Sequence, residues 1–401
     1  MGILGMWMWS DNIYRRGAEH VFSHCKDAWV TDIYLLVKGM RGTTAFHSPL
    51  TTPSVKERDL LQEALDAAHK RGIRIHAWFT SASDSIYQAA HPQRGLYHFE
   101  KGLGREIVSI ANEDYLHYME DVVADMVKRY DVDGVHLDYI RYNHLIYGWS
   151  QEDLAHYAAQ GVNTDHVVEL MKRTFTGDQP DAECIFNAYR AGDQDVIRLA
   201  DARRQNVFKF ASGLTGAARA VRGDICLSAA LMPEGAYDDL AFSALHYGQN
   251  YVDASKLYDY ALPMAYSKAY GKGPEWMKMV ARGTMRYGVT PVMGLHAYEQ
   301  GTGATLLADK RAVEHMEGVK GVCLFREGAT ALAWAEEKGM RLYNALEEPI
   351  VKVSARKGDE EAIMEMNIAP GEDIHIALPF TPDCAGVFIE KGEASVYLAN
   401  V

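Results

Sequence analysis

The sequence predicts a (β/α)8 TIM barrel followed by a small C-terminal all-β domain, and three observations predict it. Helix-like stretches run repeatedly through a glycine straight into an apolar strand, eight such strands can be read, and the pattern changes near Leu346. Short apolar strands alternating with helices pair in parallel through right-handed crossovers, and eight such units close into a cylinder. The 401 residues hold one barrel of about 250 to 350 residues and an appended unit.

In chain order the strands read Ile3–Trp9, Asp32–Lys38, Ile73–Phe79, Gly134–Asp138, Ile225–Leu231, Tyr260–Met264, Thr290–Leu295 and Gly321–Phe325. Five of them follow a glycine join: Arg71-Gly72-Ile73, Asp133-Gly134-Val135, Gly223-Asp224-Ile225, Tyr287-Gly288-Val289 and Lys320-Gly321-Val322. Glycine just past a helix end adopts the left-handed conformation that closes the last turn. Ser54 and Glu57 have capping-box spacing for a helix reaching Arg71, and Asn112 caps a helix reaching Tyr130. A doubly wound open sheet would place a phosphate-binding glycine loop after an early strand, and Ser10-Asp11-Asn12-Ile13 offers none. Residues 1–345 are therefore expected to form the barrel.

Residues 346–401 are expected to form a small antiparallel β-sandwich. The runs Ile350–Val353, Ala362–Met366, Ile374–Ala377, Gly386–Ile389 and Ser395–Leu398 alternate there with turns rich in Gly, Pro and Asp. The expected role of this domain is packing on the barrel, with Phe380, Phe388 and Tyr397 as its aromatic surface.

The 54 acidic side chains outnumber 41 basic ones, for a net charge of -13, and no basic run interrupts that background. Nucleic acid and anionic membranes are repelled by such a surface, whereas a neutral or cationic polymer suits it. Five scattered cysteines without a C-x-x-C pair read as small buried hydrophobes. The chain enters its first strand at Met1-Gly2-Ile3, with no apolar stretch of membrane-spanning length. A cytoplasmic location is expected, or export if a leader has been removed.

Reactive groups of this fold lie at the carboxyl ends of the strands, and side-chain alternation identifies the inward face. Arg74, His76 and Trp78 share one face of the third strand, His136 and Asp138 one face of the fourth, and Gly294, His296 and Tyr298 one face of the seventh. Asp138 is thus expected at the barrel mouth, with His136 a layer below and Arg141 nearby. Glu234 follows the fifth strand through Met232-Pro233. Glycosidic cleavage needs two carboxyls, one to attack or activate water and one held protonated for the leaving oxygen. Asp138 is assigned as nucleophile or base and Glu234 as proton donor. Glu299 and Glu327, at the ends of strands seven and eight, compete for the donor role or hold sugar hydroxyls, and Asp84 is a further acid.

Sugars present a C–H face that stacks on aromatic rings, and Trp7, Trp9, Trp78, Tyr139, Tyr266 and Tyr298 crowd these strand ends. Lys38, His76, His136, Arg141, Gln249 and His296 complete the expected substrate-binding set. The plainer alternatives are that Asp138 caps its loop or pairs with Arg141, that His136 is a hydrogen-bonded interior histidine, and that Glu234 is a solvated loop acid beside Asp238 and Asp239.

The run Tyr130-Asp131-Val132-Asp133-Gly134-Val135-His136-Leu137-Asp138-Tyr139-Ile140-Arg141-Tyr142 resembles the signature of the glycosyl-hydrolase-like barrel proteins, family ten of that series and its neighbours, related to the α-amylase clan. Ile75-His76-Ala77-Trp78-Phe79, Ala202-Arg203-Arg204-Gln205-Asn206-Val207, Tyr247-Gly248-Gln249-Asn250-Tyr251 and Leu262-Pro263-Met264-Ala265-Tyr266 add to the likeness, which spans Ile3 to Ala345. The resemblance implies glycan hydrolysis with the strand-four aspartate as nucleophile or base and a strand-five acid as its partner. Family members act on bacterial cell-wall or amino-sugar polysaccharides, among others. The chain departs from many relatives at Ala202, where they carry Trp. No cofactor or metal is expected. Two other functions compete: a carbohydrate-binding barrel without catalysis, and a metal-dependent hydrolase or isomerase using His76, His136, Asp138 and His296. No H-x-H or H-E-x-x-H spacing supports the latter.

Overall fold

A computed structural model describes residues 2–176, 180–297 and 301–401. Eight parallel strands form the barrel: β1 Ile3–Trp9, β2 Asp32–Lys38, β3 Arg74–Thr80, β4 Gly134–Asp138, β5 Cys226–Leu231, β6 Tyr260–Pro263, β7 Val292–His296 and β8 Gly321–Phe325. Their order is β6-β5-β4-β3-β2-β1-β8-β7, and a parallel bridge between Ala261 and Pro291 joins the two ends of that path. All eight expected strands are present. The seventh begins two residues later than expected, because Pro291 has no N–H to give a ladder.

Period-two alternation divides each strand between two cores. Ile75, Ala77 and Phe79 of β3 and Val135 and Leu137 of β4 face the helical layer. Trp7, Tyr34, Trp78, Tyr260, Leu262, Val292 and Cys323 fill the cylinder itself. Gly72 and Gly288 adopt the expected left-handed φ, +67° and +79°, whereas Gly134 and Gly223 at two other joins do not. Gly134 serves another purpose: a Cβ there would lie 2.3 Å from Nδ1 of His76.

Asn112 caps the helix Glu113–Arg129 as expected, accepting from the N–H of Tyr115 at 2.9 Å. The helix assigned to the Ser54 capping box begins later, at Leu60. Its cap is Asp59, which accepts from the N–H of Gln62 at 3.0 Å and satisfies the first turn without Ser54. Between β4 and β5 the chain inserts the helices Gln151–Ala159, Thr164–Phe175 and Cys184–Arg190 before the long helix Gln194–Val221. They enclose a core of their own around Leu145, Trp149, Tyr157, Phe186 and Leu199.

No helix follows β8. The chain passes directly into a seven-stranded sheet made of β9 Thr330–Glu336, β10 Gly339–Tyr343, β11 Ile350–Lys357, β12 Glu360–Ile368, β13 Asp373–Ala377, β14 Cys384–Ile389 and β15 Gly392–Ala399. The order is β12-β11-β14-β15-β9-β10-β13, and only the β9–β15 pair is parallel. A single core including Ala333, Leu342, Val353, Ile376, Val387 and Leu398 draws on strands from both halves of this path. The boundary expected between 345 and 346 moves to the segment after Phe325, because β9 and β10 pair with β15 and β13 rather than with the barrel.

This sheet occupies the place of the missing eighth helix, between the first-repeat helix Ala18–Asp27 and the seventh-repeat helix Gly303–Val313. Trp334 donates its indole N–H to the carbonyl of Asp27 at 2.8 Å. Arg341 bridges Asp27 and Asp373 at 2.9 and 2.6 Å, and the ring of Tyr343 stacks on that of His24 at 3.7 Å.

Candidate active site

Asp138 ends β4 at the carboxyl rim, opposite Thr80 of β3. Its Oδ2 accepts the indole N–H of Trp78 at 3.2 Å and its Oδ1 the backbone N–H of Tyr139 at 2.6 Å. Tyr139 has φ +56°, a left-handed conformation that costs a non-glycine residue about 1–2 kcal/mol. Such outliers concentrate where the surrounding structure presents a functional side chain. Asp138 is only 6% exposed. Burial raises its carboxyl above the ordinary aspartate range, against the opposing pull of Arg141, the Tyr139 N–H and Trp78.

Glu234 lies in the single turn Pro233–Ala236 that follows β5, the strand beside β4, and is 8% exposed. Tyr270 donates its hydroxyl to Oε1 at 3.1 Å, whereas Oε2 is buried without a hydrogen-bond partner. Burial raises this carboxyl too, opposed by its own backbone N–H, Tyr270 and Arg141. Arg141 thus pulls on both carboxyls. Its guanidinium packs 4.9 Å from the Tyr139 ring and 5.7 Å from that of Tyr247, donates to Asn143 at 3.3 Å and keeps Nε buried and unpartnered. Two buried carboxyls of raised proton affinity around one cation are suited to opposite protonation states, which acid–base chemistry requires.

Below the rim, Trp7 donates its indole N–H to Nε2 of His136 at 3.2 Å, and Nδ1 of His136 lies 2.9 Å from Oγ of Ser228. An Nε2 that accepts must be unprotonated, so the ring is neutral with its proton on Nδ1. Burial, seconded by His76, pushes its proton affinity well below the histidine norm. His136 is therefore the hydrogen-bonded interior histidine of the plainer alternative. His76 lies deeper, with Nε2 bonded to Asp32 at 2.8 Å, and Asp32 also pairs with Arg74. His136 lies a layer below the mouth as expected, and Trp7, His76 and His136, expected among the substrate-binding residues, are all sealed inside the cylinder.

Other expected residues are held elsewhere. Lys38 is wholly buried against Asp84 at 3.0 Å and the carbonyl of Ser83 at 2.9 Å. Glu327 receives Asn12 and Arg16, each at 2.6 Å, and braces the end of β8 against the first helix. Gln249 has both ends of its amide bonded to backbone. His296 and Tyr266 stack at 5.6 Å, and Tyr266 also packs on Phe325. Trp9 is the open aromatic of the rim, 37% exposed, with Arg326 3.4 Å over its ring. Tyr298 and Glu299 lie outside the described residues. Tyr270 was not anticipated, since it is remote in sequence from the carboxyls and nothing in its local pattern marks it, and Tyr247 was noted only within the run that carries the family likeness.

Among the described residues the grouping of metal-type side chains is His166, Asp193 and Asp195, on helix ends of the insertion and away from these carboxyls. His166 pairs with Asp193 at 2.7 Å, and Asp193 caps the long helix, so the group is accounted for by structure. No helix among the described residues is long and apolar enough to cross a membrane.

A closed eight-stranded parallel cylinder with buried acids at its carboxyl rim is the architecture of the glycoside hydrolase barrels. Residues 47–281 match the model of the family described as Glycosyl hydrolase-like 10, and the chain belongs to that family. No curated protein matches it in sequence. Among solved structures, the glycoside hydrolase domain of PgaB (BpsB) from Bordetella bronchiseptica is similar at a TM-score of 0.62 and 15% identity, over 82% of this chain and 94% of that one. Alpha-L-fucosidase isoenzyme 2 from Paenibacillus thiaminolyticus gives 0.57 and 14%, over 82% of this chain and 46% of that one. The beta-galactosidase of Marinomonas ef1 gives 0.58 and 12%, over 81% and 54%. The chain thus spans about half the length of these last two enzymes, and at these identities the likeness is one of fold.

Proposed function

We propose that the protein is a glycoside hydrolase that cleaves O-glycosidic bonds of an oligo- or polysaccharide, with Asp138 as nucleophile or base and Glu234 as proton donor. The observation that carries this reading is the pair of buried carboxyls after neighbouring strands, both of raised proton affinity and both influenced by Arg141. Asp138 has hydrogen-bond donors on both oxygens, which favour its ionised form. Glu234 is buried with one oxygen left without a partner, which favours the protonated form that a leaving oxygen needs.

Trp9, Trp78, Tyr139, Arg141 and Tyr266 are the rim residues best placed to meet a sugar, through ring faces and a guanidinium. The net charge of -13 suits a neutral or amino-sugar glycan better than an acidic one. Family membership and the fold shared with the PgaB domain support a carbohydrate substrate. The test is turnover of a panel of oligosaccharides, read by mass spectrometry for the wild type and Asp138→Asn. Cleavage that falls by several orders of magnitude in the variant is expected. Sugar binding without any cleavage would instead identify a carbohydrate-binding barrel, and undiminished turnover in Asp138→Asn would remove that residue from the mechanism.

A further inference from the structure

The loops that carry the two carboxyls are joined by one side chain. Gln249 is buried, accepts the backbone N–H of Met232 on Oε1 at 3.0 Å and donates from Nε2 to the carbonyl of Ile140 at 3.2 Å. Met232 is two residues before Glu234, and Ile140 is two residues after Asp138. The neighbouring chain repeats the pattern: the carbonyl of Tyr247 accepts from the N–H of Tyr142 at 3.1 Å, and the hydroxyl of Tyr251 donates to the carbonyl of Met232 at 3.0 Å. Arg203 anchors the start of this segment by donating to the carbonyls of Leu245 and His246 on one side and of His144 and Tyr147 on the other.

We infer that Gln249 is a positioning residue that sets the distance between the Asp138 and Glu234 loops. The inference rests on the reading of those acids as the reacting pair. A primary amide suits the place because it offers one acceptor and one donor in a fixed plane, matching a backbone N–H on one side and a carbonyl on the other. Buried, and engaged at both ends of its amide by the two loops, Gln249 is placed to act through Asp138 and Glu234. A change of about 1 Å in reacting geometry costs on the order of 100-fold in rate, so a loosened clasp acts on turnover rather than on affinity.

Two variants test this. Gln249→Leu removes both bonds, and Gln249→Glu keeps the acceptor for Met232 but can donate to Ile140 only when protonated. The expected result for Gln249→Leu is kcat lower by about 10- to 100-fold with KM within about 3-fold of wild type on any glycoside that the wild type cleaves. For Gln249→Glu, the ratio of its kcat to that of wild type falls as pH rises, since ionisation sets a carboxylate against the Ile140 carbonyl; a variant that only disturbs packing shows a flat ratio. A raised KM with unchanged kcat, or a flat ratio in Gln249→Glu, overturns the inference. If Gln249→Leu does not fold, the Gln249→Glu pH ratio decides. If the wild type cleaves nothing, the hydrolase reading fails by itself. The clasp is then judged from a crystal structure of either folded variant, where Asp138 and Glu234 loops at their original separation overturn it.

Discussion

The hydroxyl of Tyr270 donates to one oxygen of Glu234 at 3.1 Å, while the other oxygen is buried with no partner. This bond, the backbone N–H of Glu234 and Arg141 oppose the burial that raises the proton affinity of the carboxyl. Tyr270→Phe removes a bond that favours the ionised form, so the proton affinity of Glu234 rises further. As Glu234 must be protonated to act, the alkaline limb of the kcat profile moves to higher pH in the variant. Measuring kcat across pH for both proteins checks this, and a limb that stays in place or moves down removes Glu234 from the donor role.

Asp138 links activity to stability with opposite signs. Its carboxyl holds its proton more tightly when folded than when unfolded, through burial. Between the unfolded value and the raised folded one, the folded state binds more protons, so stability falls as pH rises through that window. Asp138→Asn lacks this loss. The expected outcome is a variant whose melting temperature relative to wild type increases as pH rises above the ordinary aspartate value of about 3.9, while its turnover collapses. Parallel melting curves at all pH values would contradict it.

The metal-dependent alternative would draw on two histidine Nε2 atoms that are already engaged. Nε2 of His76 is bonded to Asp32 and Nε2 of His136 accepts from Trp7, so neither can serve a cation without breaking a buried contact. Dialysis against a chelator is expected to leave glycoside turnover unchanged. A loss restored by zinc or manganese would reverse that conclusion.

The C-terminal sheet contributes to the stability of the barrel through Trp334, which packs in the barrel's main core and donates to Asp27. Trp334→Ala is expected to cost about 3–5 kcal/mol, read from urea unfolding as a lower midpoint. A change below about 1 kcal/mol would mean that the sheet only rests on the surface.

Much of this architecture is legible in the chain. The barrel strands alternate strictly between the helical layer and the cylinder, so Asp138 could be placed at its rim from spacing alone. What spacing cannot supply is a partner from another part of the chain. Lys38 and Glu327 stand at strand ends like Asp138, yet Asp84 takes the first and Asn12 with Arg16 the second. Gln249 was read as a sugar contact because a polar residue in a rim loop is indistinguishable, in one dimension, from one bonded to two backbones. The insertion after β4 escaped because its helices bury their apolar faces on one another, so no strand marks where each begins. The strands β9 and β10 were hidden because they precede the change in composition that signals the second sheet.

His136 neither accepts nor releases a proton in the neutral range, Tyr34 and Cys323 hold theirs far above it, and Trp7 is fixed as a donor. Deeper in the cylinder His76, beside Asp32, is shifted the other way, toward holding its proton. A rim carboxyl can therefore change charge while the hydrogen-bonded column of Trp7, His136 and Ser228 beneath it keeps its protons in place.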